Sequence, residues 1–380
     1  MTSELLAALA DYPPERIAAG MEAVTAREVR RALEHPQPRP GHLLALLSPQ
    51  AAPFLEQMAQ QARQVTHQRF GRTMTLYAPL YLSNHCINHC TYCGFNAARD
   101  IPRRALSLAE ALGQAEHLLS QGIRHLLLVT GEAPARYGLA EICEVVEALR
   151  PRVASLSVEI FPCDESGYER LGQAGVDGLV LYQETYDRVR YRTFHPRGPK
   201  QDFTRRLEAM DAGARAGFRS LGVGALLGLT PHRIETFYLA LHAAHLRKHH
   251  FQARLGVSFP RLRPVSSGTP ILHPVSNAEL VQAIVAFRLL FPDAELVIST
   301  RESAPMRDRL MHLGVTRMSA GSRTSPGGYG PREDDAASGQ FDTDDQRQIG
   351  QIAEAIRAAG LDVVTKDFDP AFLADPGTGP

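Results

Sequence analysis

The chain of 380 residues has no net charge, no long apolar run and no cysteine beyond Cys163. Each absence excludes something. With 41 Lys and Arg against 41 Asp and Glu, no overall field gathers nucleic acid or anionic lipid, and neither partner is expected. No stretch approaches the roughly 18 uninterrupted apolar residues of a transmembrane helix. The opening MTSELLAALADYPPE lacks the basic start and apolar core of a secretory signal, so a cytoplasmic protein is expected. Five cysteines are an odd set, and three fall between Cys86 and Cys93. That suits a metal site in a reducing compartment better than a disulfide framework.

What is present suffices for one large core: 44% hydrophobic and 22% charged residues argue against long disorder. Residues 1–70 read as an N-terminal helical extension, with apolar positions at helical spacing in Ala51–Val65 and a Pro-rich break at Pro36–Pro40. From Leu76 onward, short apolar runs alternate with amphipathic stretches. The candidate strands are Leu76–Leu82, His125–Thr130, Ser155–Phe161, Gly178–Gln183, Ser220–Leu227, Arg254–Phe259, Glu295–Ser299 and Thr316–Ser319. Glycines 122, 175, 217 and 314 stand where the intervening helices should end. The expected fold is α/β, a (β/α)8 TIM-type barrel over 71–322 with a C-terminal loop and helical extension over 323–380. Within that extension, the Gly-, Pro- and Asp-rich Ser325–Asp345 reads as a loop or as a lid over the barrel mouth.

The segment Ser83-Asn84-His85-Cys86-Ile87-Asn88-His89-Cys90-Thr91-Tyr92-Cys93-Gly94 follows the first candidate strand, which puts it at the C-terminal mouth where this fold carries its chemistry. Three thiolates spaced CxxxCxxC can hold three irons of a cubane and leave the fourth iron open for a ligand. An electron carrier would need a fourth cysteine nearby, and Cys143 and Cys163 lie on other elements. A zinc site would recruit His85 or His89 as its fourth ligand, although structural zinc normally closes with paired ligands.

Other mouth positions carry polar groups. Strand two ends in Thr130-Gly131-Glu132. Glu159 is an acid in an apolar run, costly unless paired or turned toward a ligand. Strand four leads into Tyr182-Gln183-Glu184-Thr185-Tyr186, and Arg206 follows in RRLEAMDAGARAGF.

The cysteine spacing, with an aromatic residue before the last cysteine, resembles the signature of the radical S-adenosylmethionine superfamily. The resemblance implies a [4Fe-4S] cluster on Cys86, Cys90 and Cys93, whose open iron chelates S-adenosylmethionine and whose electron splits it to a 5′-deoxyadenosyl radical. It further implies cofactor contacts from Gly131 and Glu132, with Thr130 replacing the first glycine of the family's GGE motif, and from Glu159, Gln183, Glu184 and Arg206. For each single residue a structural ion pair is the other reading.

Tyr77–Asn84, Val180–Tyr186, Gly198–Phe203, Ile298–Glu302 and Ser325–Tyr329, in that order, resemble the 2-iminoacetate synthases, the tyrosine lyases of thiamine thiazole biosynthesis. That resemblance implies hydrogen abstraction from the amino group of L-tyrosine, Cα–Cβ cleavage and release of 2-iminoacetate and p-cresol. Arg301 would pair with the substrate carboxylate, Ser319 would hydrogen-bond nearby, and Tyr92 would lie close to the amine. A flavodoxin or ferredoxin reductant and handover to the thiazole synthase are implied as well. The tyrosine lyase that matures [FeFe]-hydrogenase carries a further cysteine-rich C-terminal region, and no cysteine follows Cys163 here. A tryptophan lyase sharing this machinery, and a non-catalytic iron–sulfur carrier or scaffold, are the alternatives.

Overall fold

The computed structural model describes residues 2–263, 271–329 and 339–365. Five helices open the chain: α1 Thr2–Ala10, α2 Pro14–Glu22, α3 Ala26–Glu34, α4 Pro40–Leu47 and α5 Leu55–Phe70. Their boundaries follow local chemistry. Thr25 and Glu28 form a reciprocal capping box on α3, and the Pro-rich break ends with Pro40 at the start of α4. This layer is keyed to the barrel by polar groups. Gln282 donates to the carbonyls of Leu46 and Ser48, and Tyr238 donates to the carbonyl of Tyr12.

Then follow β1 Thr73–Ser83, α6 Leu108–Ser120, β2 His125–Thr130, α7 Leu139–Leu149, β3 Ser155–Glu159, α8 Glu165–Ala174, β4 Gly178–Val180, α9 Arg188–Phe194, α10 Phe203–Arg215 and β5 Ser220–Gly224. The remaining elements are α11 His232–His249, β6 Arg254–Ser258, α12 Asn277–Leu290, β7 Glu295–Ile298, α13 Ala304–Leu310, β8 Arg317–Ser319, α14 Ile349–Ala358 and β9 Asp362–Val364. All pairings are parallel, each of β1 to β8 joins the next, and β8 pairs with β1, so eight strands close a barrel. Both faces of such strands are buried, which is why β2 reads HLLLVT without a polar face.

Several strands leave the ladder one to three residues before the apolar runs suggest, because the chain turns there to cross the mouth. Residues 181–183, for example, lie beyond the end of β4. Eleven-residue β1 serves three partners. Its edge beyond Tyr77 outruns β8, and Pro79 falls there. The missing proline N–H therefore costs no ladder bond, and the Tyr329 hydroxyl donates to the Pro79 carbonyl at 2.7 Å.

The stretch expected as a C-terminal loop and helical extension packs on the barrel. Thr75 pairs with Arg317 on one side and Val364 on the other, so β9 occupies the lower part of the edge that β2 takes above. No described helix is long and apolar enough to cross a membrane.

Candidate active site

A cavity of about 900 Å³, counting the space open to solvent, fills the mouth at the C-terminal ends of the strands. Tyr77 and Tyr81 from β1, Glu159 from β3, Tyr182 and Glu184 beyond β4, and Ser319 from β8 line it, together with Tyr92 and Cys93 of the cysteine loop and Arg301. Glycine makes room for part of this wall. A Cβ on Gly224 would come within 2.8 Å of the Tyr182 ring.

The cysteine loop is held by backbone contacts on both flanks. Ile87 N–H donates to the carbonyl of Glu132 at 3.0 Å, His89 to Arg197 at 2.9 Å and Thr91 to Phe194 at 3.0 Å. Gly131 donates to Ser83, and a Cβ there would overlap the carbonyl of His85. Glu132 accepts from the Asn88 side-chain amide at 2.6 Å, while Asn88 Oδ1 accepts from the Lys200 backbone N–H at 2.8 Å. Gly131 and Glu132 thus brace the loop from behind and do not line the cavity.

Burial pushes the Cys90 thiol up to about 12 and Cys93 to about 11, with the neighbouring thiols adding to the rise. A metal that binds here must displace those protons, so its binding releases them. Among the described residues no three His, Cys, Asp or Glu side chains gather around a single ion. A cubane spreads its three thiolates over three separate irons.

Two carboxylates face the cavity, one from β3 and one beyond the end of β4, and their acidities are shifted in opposite directions. Burial, then the nearby Glu184, push Glu159 up to about 7 against the pull of Arg206, Lys200 and Arg301. The Glu159 carboxylate has no hydrogen-bond partner among the described residues. Burial also opposes ionisation of Glu184, but Lys200 and Arg206 outweigh it and the net shift is downward. Lys200 Nζ lies 2.8 Å from Glu184, and Arg206 Nε donates to the Tyr182 carbonyl at 2.6 Å. Glu184 is the one described non-glycine residue with positive φ, at 69°. A strained backbone at a cavity carboxylate is the kind of outlier that surrounding structure must enforce.

Also on the cavity wall, Arg301 is half-buried, and its guanidinium lies 3.3 Å from the centroid of Phe341. Its sequence neighbour Glu302 does not neutralise it. Glu302 pairs with Arg261 and, at 3.5 Å, with Arg263, so Arg301 has no carboxylate partner among the described residues. Ser319 Oγ accepts from Thr300 N–H and from the Ser322 hydroxyl, both at 3.1 Å, and so fixes the turn that carries Arg301. The segment 339–345 closes this side. Gln340 accepts from the Tyr81 hydroxyl at 2.7 Å and from Gly94 N–H at 2.9 Å, and both Gln340 and Phe341 line the cavity. Of the stretch expected as a loop or lid, residues 330–338 lie outside the described ones.

The amino-terminal half of the barrel matches the Radical SAM superfamily over residues 80–241, and residues 258–362 match the Biotin and Thiamin Synthesis associated domain. The 2-iminoacetate synthase of Escherichia coli (strain K12) is 44% identical over 346 residues, 91% of each chain. The chain belongs to the 2-iminoacetate synthase family. A second member of that family, from Salmonella typhimurium, is 42% identical over the same share. The solved structure of the FeFe-hydrogenase maturase HydG from Carboxydothermus hydrogenoformans is 30% identical, covers 96% of this chain and 85% of its own, and superimposes with a TM-score of 0.85.

As a member of the 2-iminoacetate synthase family the chain is a radical S-adenosylmethionine enzyme, with a [4Fe-4S] cluster and S-adenosylmethionine as cofactors. The residues fit both groups. Five cysteines are free of disulfides, Cys93 reaches the cavity wall, and Glu159 offers it a carboxylate that no described group satisfies.

Six residues singled out in the sequence meet in this family's cavity: Tyr92, Cys93, Glu159, Glu184, Arg301 and Ser319. Cys86 and Cys90 belong to the loop behind it. Gln183 does not reach it, because its amide donates to the Phe203 carbonyl at 3.2 Å. Arg206 stands behind Glu184, 4.0 Å away. Sequence reasoning gave no role to His195, whose Nε2 lies 2.7 Å from the Tyr92 hydroxyl while Nδ1 contacts the Tyr191 carbonyl at 2.7 Å. Burial, followed by Lys200, depresses His195 to about 3, so a neutral imidazole accepts from Tyr92. Lys200 and Phe341 were missed too. Lys200 stood inside a quoted motif, whereas Phe341 carried no signal because only the folded chain brings it to Arg301.

Proposed function

We propose that this chain cleaves the Cα–Cβ bond of L-tyrosine to give 2-iminoacetate and p-cresol for thiamine thiazole biosynthesis. The observation that carries the substrate assignment is Arg301, a half-buried guanidinium in the cavity wall with no carboxylate partner among the described residues. A planar fork suits an amino-acid carboxylate, to which it donates bidentately. In this reading Ser319 keeps the Arg301 turn in place, and Tyr92, its hydroxyl anchored on His195, borders the substrate amine.

Cys86, Cys90 and Cys93 hold the cluster, which when bound supplies the electron that splits S-adenosylmethionine into a hydrogen-abstracting fragment. Glu159 and Glu184 face the cofactor. Gly131, Glu132, Gln183 and Arg206 act one layer back, by supporting the loop and the Glu184 turn. Holding the amine against the reacting atom matters because small misplacements carry large rate penalties.

A flavodoxin or ferredoxin reductant belongs to this reading. So does direct handover to the thiazole synthase, since an imine hydrolyses in water. A cytoplasmic setting is supported by the five free cysteines. Anaerobic reconstitution followed by reduction with S-adenosylmethionine and tyrosine tests it. p-Cresol and 5′-deoxyadenosine in matching amounts are expected. An indole product from tryptophan with none from tyrosine would replace the substrate, and absence of 5′-deoxyadenosine would sink the lyase.

A further inference from the structure

From 188 to 200 the chain carries four arginines, one lysine and no acidic residue, in a protein with no net charge. Two of the five cations are engaged. Arg188 donates to Thr204 and lies over the Phe203 ring, and Lys200 pairs with Glu184. Arg190, Arg192 and Arg197 are exposed and form no ion pair among the described residues.

This stretch is pressed onto the outside of the cysteine loop. His89 and Thr91 donate to its backbone, and Gly198, at φ +103°, sits so close to Asn88 and the Ile87 carbonyl that no side chain fits. On the opposite flank Arg136 is exposed, four residues past Glu132, whose carbonyl accepts from Ile87 N–H. Between these flanks Ile87, next to Cys86, is 50% exposed, and Val189 on α9 is 78% exposed. The cavity chemistry uses none of these side chains.

The electron must enter from outside, and transfer falls steeply with distance, so it favours the thinnest wall. Half-buried Cys86 beside Ile87 is such a wall. We propose that the face formed by Ile87, Arg136, Arg190, Arg192 and Arg197 docks a small acidic flavoprotein of flavodoxin type. This rests on the lyase reading and adds to it the partner's docking surface.

Unpaired cations steer an acidic partner and fix its orientation. The apolar centre at Ile87 suits the dimethylbenzene edge of a flavin. In the transfer an anionic flavin hydroquinone loses one electron and becomes the neutral semiquinone. The cluster gains that electron, and no proton or covalent bond changes.

The test uses the reconstituted full chain with R136E/R192E/R197E, and R27E/R31E/R63E on the N-terminal helices as a charge-matched control. Flavodoxin is titrated to obtain Kd at two salt concentrations. 5′-Deoxyadenosine formation is measured with reduced flavodoxin and separately with dithionite. The face variant should bind flavodoxin at least about tenfold more weakly and lose most of its salt dependence. Its dithionite-driven turnover should match wild type, and the control should match wild type throughout. I87S should lower the flavodoxin-driven rate without changing the dithionite-driven one.

An unchanged Kd in the face variant, an equal loss in the control, or an equal loss under dithionite would each overturn the docking face. So would a deficit seen with ferredoxin alone. Wild type that forms no p-cresol under dithionite sinks the lyase reading instead, so the two failures are distinguishable.

Discussion

The cysteine-loop wall of the cavity and the wall around Arg301 are held by different kinds of contact. The first is fastened by main-chain hydrogen bonds from Ile87, His89 and Thr91 and by the close approach of Gly131 and Gly198. Arg103 adds side-chain donors to the carbonyls of Asn84, Phe95 and Asn96. The second is fastened by charged side chains far apart in sequence. Arg307 pairs with Asp345 with both side chains fully buried, Arg307 also donates to the Ser319 carbonyl, and Glu302 binds Arg261. A wall held mainly by backbone bonds should tolerate most side-chain changes other than those of its metal ligands, Asn88 and Arg103. A wall of buried ion pairs should fail when one partner is removed.

The largest effect should come from the first wall's metal ligands. Cys86→Ala leaves two thiols for a cluster that needs three, so reconstituted protein should lose the cluster's visible absorption and all detectable 5′-deoxyadenosine formation. Full activity in this variant would overturn the ligand assignment.

Next comes the frame of the second wall. Arg307→Ala removes one of the two arginines on the buried Asp345 carboxylate, which keeps Arg347 at 2.7 Å, and losing a hydrogen bond between charged groups costs about 1.5–3 kcal/mol. Denaturant unfolding should show a loss of that order. His89→Ala, whose loop contact is through its main chain, should fall within about 0.5 kcal/mol of wild type. Equal losses would erase the contrast between the walls.

The same contrast governs what could be read from the sequence. The cysteine loop was legible because its ligands are contiguous and its place after β1 follows from the alternation of strands and helices. Eight of the nine described strands were visible as apolar runs. Short β9, with only Val363 and Val364 to mark it, was hidden because its pairing with β1 is a tertiary event. Arg301 and Ser319 were named through family resemblance. Phe341, Asp345 and His195 reach the site across sequence separations that no local pattern records. Gln183 looked like a mouth residue, yet beyond β4 its amide turns to the Phe203 carbonyl, away from the cavity.

A smaller effect separates binding from cluster chemistry. Arg301→Ala removes a charge-assisted contact worth about 1.5–3 kcal/mol, so kcat/KM for tyrosine should fall by about 10- to 150-fold while the cluster's absorption spectrum stays unchanged. Loss of the cluster would instead show that the second wall supports the first.

The smallest effect is a slope. Glu159 titrates near 7 in the folded protein against 4.5 as its ordinary value. Between those values the folded state binds more protons than the unfolded state, so this residue's contribution to stability falls as pH rises through that window. Ligand binding has the opposite sign. A cationic ammonium prefers the ionised carboxylate, so the Kd for S-adenosylmethionine should tighten as pH climbs through about 7, by less than tenfold per pH unit. Glu159→Gln keeps the shape and removes the titration. Its Kd should be weaker above neutrality and flat across the range, measured by equilibrium binding to the reconstituted protein. A wild-type Kd that ignores pH would move the ammonium away from Glu159 and leave ionised Glu184 as the carboxylate that meets it.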